Sequence, residues 1–101
     1  MAESRFNVVV AKDLEDLVPV FMGNRRKEVD TLRAATAAAD FEQLRQIGHR
    51  MKGVGNSYGF EYVSTLGKEI EDAGKAQNVP AAEACIAAYV EYLEKVEIAY
   101  E

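Results

Sequence analysis

Several residue types are scarce, and each scarcity closes a class of function. A single cysteine, Cys85, among 101 residues excludes an internal disulfide framework and a cysteine-based zinc site. It fits a reducing compartment. With a single histidine, His49, any metal site would need carboxylates, and the Glu-x-x-His pattern of bundle metal sites is absent. Basic residues are the minority, 12 against 17 acidic, for a net charge of −5. Such a chain is poorly suited to nucleic acid, whose phosphates demand excess Lys and Arg. The longest apolar runs, such as Val8-Val9-Val10-Ala11, are far too short to cross a bilayer. The N-terminus has Glu3 where a signal peptide needs basic residues, and no apolar h-region follows. The expectation is a soluble cytoplasmic protein with no membrane segment and no metal site.

What is present points to helix. The length suits one domain, and 49% hydrophobic residues suffice for a core. Ala, Glu, Leu and Lys are frequent, and there are only two prolines, Pro19 and Pro80. Residues 1–12 differ: Phe6-Asn7-Val8-Val9-Val10 is β-branched, but a lone strand there has no evident partner. It reads as an irregular lead-in, with the helical domain spanning 13–101.

The first helix is expected from Asp13 to about Ala37–Ala39, with Leu14, Leu17, Val18, Phe21 and Met22 at helical spacing. Pro19 should kink or split it. Asp40 is a good N-cap for a second helix. There Phe41, Leu44, Ile47, Met51, Val54 and Tyr58 recur at spacings of 3, 3, 4, 3 and 4. That helix should end between Gly55 and Gly59. A third covers roughly Phe60–Lys75. Pro80 opens a fourth, whose stripe is Ile86, Tyr89, Leu93, Val96 and Tyr100. Four amphipathic helices with short connections predict an all-α, antiparallel up-down four-helix bundle.

His49 is the most informative residue. At about 100° per residue, it projects roughly 160° away from the mean of Leu44, Ile47, Met51 and Tyr58. It should therefore face solvent. Arg45, Lys52, Gly53 and Asn56 share that side. From Arg45 to Lys52, both included, there are three basic residues besides His49 and no acids, so a small positive patch should surround an exposed imidazole. Gly53 removes bulk beside the ring, at a helix cost of about 1 kcal/mol. A neutral imidazole nitrogen is a nucleophile, and Lys52 could screen a phosphoryl group bound to it. The bland alternative is a solvated surface histidine with ordinary lysine neighbours.

The run Ile47-Gly48-His49-Arg50-Met51-Lys52-Gly53-Val54-Gly55-Asn56-Ser57-Tyr58-Gly59 resembles the signature of histidine phosphotransfer (HPt) domains. In that signature a His is followed by an apolar residue, Lys and Gly, with further small residues downstream. Leu66, Ile70 and Glu71 resemble the family's third helix, and the likeness covers roughly residues 13–100. Val54 and Gly55 depart from the commonest residues at their positions. The resemblance implies a phosphorelay carrier that accepts a phosphoryl group from a receiver-domain aspartate or a histidine kinase and passes it to another receiver. It implies His49 as phosphoacceptor, Lys52 as phosphoryl stabiliser and Gly53 as the opening for the approaching group. Glu71 would bond the inner ring nitrogen and Lys75 would add positive charge, although the two also fit a plain i, i+4 ion pair. Arg45, Arg50 and Asn56 would belong to the docking face. The Mg²⁺ of the reaction is expected in the receiver.

Competing readings are weaker. The glycines of Gly53–Gly59 close a helix instead of opening one after a strand, unlike a dinucleotide-binding turn. The Arg25-Arg26-Lys27 run reads as a solvated face, or as an aid to steering an acidic receiver. The tyrosines read as core edges with wet hydroxyls, and Cys85 as a small core hydrophobe. The main alternative is a bundle that docks on a receiver or kinase and regulates it without being phosphorylated. A fragment of a larger kinase is disfavoured by the opening Met1 and the full helix count.

Overall fold

The computed structural model describes residues 6–101. Residues 1–5 of the expected lead-in lie outside the described residues. Within that span four α-helices form the bundle: α1 Val18–Ala37, α2 Phe41–Tyr58, α3 Glu61–Ala76 and α4 Val79–Lys95. The connections are two or three residues long, so successive helices must run antiparallel. Each helix packs on its chain neighbours, and α1 closes the ring against α4.

The helix ends follow from local chemistry. The Asp40 carboxylate accepts the Gln43 N–H at 3.2 Å and starts α2. Gly59 stops it in the left-handed region at φ 85°, a conformation that favours glycine. Asn78 caps α4 by accepting the Ala81 N–H at 3.1 Å, with Pro80 in the first turn. The first helix differs from expectation. Lys12–Leu17 is a 3-10 turn, and α1 begins at Val18. Pro19 therefore lies in the first turn, where its missing N–H breaks no helical bond, and it causes no kink. The tighter turn also rotates Leu17 out of the apolar stripe, to 47% exposure.

The fourth helix also stops earlier than its apolar stripe suggests. Val96 takes an extended conformation, and Glu97–Tyr100 forms a strand, β2. Its partner is β1, Asn7–Val10, in parallel register with Asn7 opposite Glu97 and Val10 opposite Tyr100. The β-branched run near the N-terminus thus pairs after all, with a segment whose Tyr100 is expected on the fourth helix. Val8 and Val10 point into the core and Asn7 and Val9 out, the alternation of a half-buried strand.

The core is drawn from all four helices: Leu32, Leu44, Met51, Phe60, Ile70 and Tyr89 are fully buried. The α2–α3 pair packs closest, along a glycine seam. Gly48 on α2 faces Gly67 on α3, while Gly55 lies against Phe60 and Ser64, and Gly74 against Phe41 and Arg45. A Cβ at Gly67 would lie 2.6 Å from Met51 Cβ and 2.7 Å from the Lys52 nitrogen. One at Gly55 would lie 2.5 Å from Ser64 Oγ and 2.8 Å from the Phe60 oxygen. Gly55 is thus a packing surface within α2, which runs on to Tyr58. Backbones this close lock the axial register of the two helices that carry the site.

Two tyrosines correct the expectation of wet hydroxyls. Tyr89 and Tyr92 are both fully buried. Tyr89 donates to Glu28 Oε1 at 2.8 Å, and Arg25 Nε donates to the same oxygen at 3.0 Å. Arg25 also lies over the Phe21 ring, 4.8 Å from its centroid. It is therefore a core-edge residue, whereas Arg26 and Lys27 are exposed. Among the described residues, the buried Tyr92 hydroxyl has no hydrogen-bond partner. Cys85 is buried as expected. Its thiol donates to Glu69 Oε1 at 3.3 Å, and burial pushes the thiol pKa up to about 12.

Candidate functional site

The site is built where α2 and α3 touch. His49 stands on the outer face of α2 with its side chain 69% exposed, as the helical projection requires. Its inner nitrogen, Nδ1, lies 3.3 Å from Oε2 of Glu71 on α3. Glu71 itself is buried, at 7% side-chain exposure. Its other oxygen, Oε1, accepts from Lys52 Nζ at 2.9 Å, and Lys75 Nζ lies 3.8 Å from Oε2. One buried carboxylate is thus shared by an imidazole and two ammonium groups.

That sharing controls its chemistry. The Lys52 hydrogen bond holds the Glu71 carboxyl below the usual carboxylate range. Burial opposes this, while the charges of Lys52 and Lys75 and the His49 contact reinforce it. An ionised carboxylate can only accept hydrogen bonds. The proton of a neutral His49 ring therefore belongs on Nδ1, and the lone pair is left on Nε2. The seam of small residues sets this geometry. Gly48, the residue before His49, lies against the Glu71 backbone with no room for a Cβ. Ser64 Oγ on α3 donates to the Lys52 carbonyl at 2.7 Å.

An open groove runs beside the ring. His49, Lys52, Gly53 and Asn56 form one wall, and Ser64 and Lys68 lie on the other. A Cβ at Gly53 would meet nothing within 4 Å, so the space beside His49 is free. The expected positive patch is of mixed charge. Glu61, Glu69 and Asp72 also line the groove, and all three come from α3, invisible in the α2 run alone. Arg45 is held by Glu42 one turn away, with Nε to Oε1 at 3.1 Å. This contact holds the Glu42 carboxyl below its usual range. Arg50 is exposed but lies about 100° around the helix from His49, outside the groove. Of the expected docking residues, then, only Asn56 lines the groove with His49.

Residues 16–99 match the Hpt domain family. The chain belongs to that family. Hpt domains are phosphotransfer carriers of two-component signalling, distinct from classical enzymes, and work with receiver domains and kinases. No curated protein and no solved structure matches the chain. Among the described residues, no helix of this Hpt domain is long and apolar enough to cross a membrane. Sequence reasoning missed Ser64 and the glycine seam of the Hpt domain. The seven-residue spacing of Gly48 and Gly55, repeated by Gly67 and Gly74, was the available signal.

Proposed function

We propose that this Hpt domain is a phosphorelay carrier that accepts a phosphoryl group on Nε2 of His49 and passes it to a receiver-domain aspartate. The Nε2 lone pair attacks phosphorus of an aspartyl phosphate. The P–O bond to the aspartyl carboxylate breaks, and that carboxylate leaves with the electron pair. No proton need leave the ring, because Nδ1–H is retained against Glu71. The positive charge that develops on the imidazole is met by the buried carboxylate. The return step is the reverse attack by a receiver carboxylate. Lys52 is within reach to neutralise the phosphoryl oxygens, and Gly53 leaves the approach open. Asn56 edges the docking face, with Arg45 and Arg50 flanking it. Glu71 positions the ring, and Lys75 adds positive charge beside that carboxylate. The domain acts as a cytoplasmic monomer, needs no cofactor of its own, and relies on Mg²⁺ in the receiver.

The single observation that carries this reading is an exposed imidazole whose Nδ1 is held by a buried ionised carboxylate, which leaves Nε2 as the nucleophile. The test is incubation of wild type and His49→Gln with phosphorylated receiver domains. Acid-labile, alkali-stable label on wild type alone is the expected outcome, with both proteins equally folded by circular dichroism. Equal label on the variant would remove His49 from its role. No label from any receiver would leave the docking module as the better account.

A further inference from the structure

Glu71 is contacted by more cations than a ring-orienting residue requires. Arg45 also contributes to its field from α2, but Arg45 is bound to Glu42. Lys52 is in direct hydrogen bond at 2.9 Å, on Oε1. Lys75 stands off at 3.8 Å on Oε2, with its side chain 57% exposed. Resting on the reading of His49 as phosphoacceptor, this arrangement poses a conflict. The lysine that would screen the phosphoryl group is already committed to Glu71. If Lys52 moves outward to the phosphoryl oxygens, a buried carboxylate loses its closest donor, which is costly for a buried charge.

We infer that Lys75 is a positioning residue that takes over Glu71 when Lys52 is drawn to the phosphoryl group. It is one turn along α3 from Glu71, so the i, i+4 geometry brings its ammonium to the same carboxylate. It need close only the gap between 3.8 Å and ordinary hydrogen-bond length. Being more than half exposed, its side chain is free to do so. The two lysines exchange one partner: Lys52 holds Glu71 in the unphosphorylated protein, and Lys75 holds it in the phosphorylated one. Lys75 thereby acts on the phosphoryl group only through the freedom of Lys52.

That indirectness is what an experiment can read. Wild type, Lys75→Met, Lys75→Arg, Lys52→Met and the double methionine variant are phosphorylated with phosphoramidate, and phosphohistidine decay is followed by ³¹P NMR. Lys75→Met is expected to shorten the phosphohistidine lifetime by about threefold, the scale of a partly exposed ion pair. Lys75→Arg is expected to restore it. In the Lys52→Met background the Lys75→Met effect is expected to vanish, because no lysine is left to release. A wild-type lifetime in Lys75→Met overturns the inference. So does an undiminished Lys75 effect when Lys52 is absent, since Lys75 would then act by its own charge. An unlabelled wild type removes the phosphoacceptor reading instead, and this inference falls with it.

Discussion

Gly48 and Gly53 lie five residues apart on α2, and alanine is expected to act at them with opposite signs. Replacing a mid-helix glycine with alanine gains about 1 kcal/mol of helix propensity. At Gly53 nothing opposes that gain, because the new Cβ meets nothing within 4 Å. Its melting temperature should rise by roughly 4–8 °C for a domain of this size. At Gly48 the new Cβ would lie 2.5 Å from the Gly67 carbonyl oxygen and 2.9 Å from Glu71 Cα, besides clashing with the Glu71 nitrogen. All three are backbone atoms, so no side-chain rotation relieves the clash and α3 must move. Overpacking costs about 1–3 kcal/mol or more, and rigid neighbours place this case at the upper end. After the propensity gain, a net loss of about 2 kcal/mol remains. Thermal and urea unfolding followed by circular dichroism at the helix band would measure both. A Gly48→Ala protein as stable as wild type would refute the close approach of α2 and α3. A destabilised Gly53→Ala would refute the open space beside His49. Because the Gly53 methyl enters that space, the more stable variant is also expected to take up label from a receiver more slowly.

Other substitutions probe the buried polar groups. Tyr89→Phe is expected to cost about 1–3 kcal/mol, because Glu28 loses its hydroxyl donor in the core. Tyr92→Phe should be neutral or stabilising, since its hydroxyl has no partner to lose among the described residues. Urea midpoints that reverse this order would contradict the assigned contacts. The lowered pKa of Glu71 carries a definite sign. A carboxyl with a depressed folded pKa contributes stability that is full above its unfolded value, about 4.3. That contribution is lost as pH falls through the lower folded value. Glu71→Gln should therefore be less stable than wild type at neutral pH, and the gap should close in acid. A gap that stays constant from neutral pH down to acid would show that the carboxylate charge contributes nothing.

The parts of the fold legible in sequence are those set within one helical turn. Asp40, Gly59 and Pro80 mark helix ends by local chemistry, and α2 through α4 begin close to where these residues place them. The outward projection of His49 was legible for the same reason, since it depends only on helix period. Partnerships made across the bundle were not. Glu28 and Tyr89 are 61 positions apart, and nothing near either residue marks the other. The acids lining the groove arrive on α3 because the glycine seam sets its register, a fact about two helices and not one. Glu71 is intermediate. The family resemblance singled it out, but only its burial separates a shared carboxylate from a plain surface ion pair. Pro19 misled because a proline's effect depends on whether its N–H would have been used, and that turns on where the helix starts.

The strand pair carries a mechanical consequence. Asn7 sits opposite Glu97, so the whole bundle is the crossover between two parallel strands. Their register runs the same way along the chain, so tension applied between residues 6 and 101 pulls the strands past each other. The inter-strand bonds are then loaded together, in shear, whereas an antiparallel hairpin pulled from its open end gives way one bond at a time. Four short residue pairs shield the helices from a load on the chain ends until the pairs fail as a set. While the bundle stays folded it holds the two strands' ends near each other, so the pairs can re-form once the load is released. The ribbon is thus a latch that resists pulling.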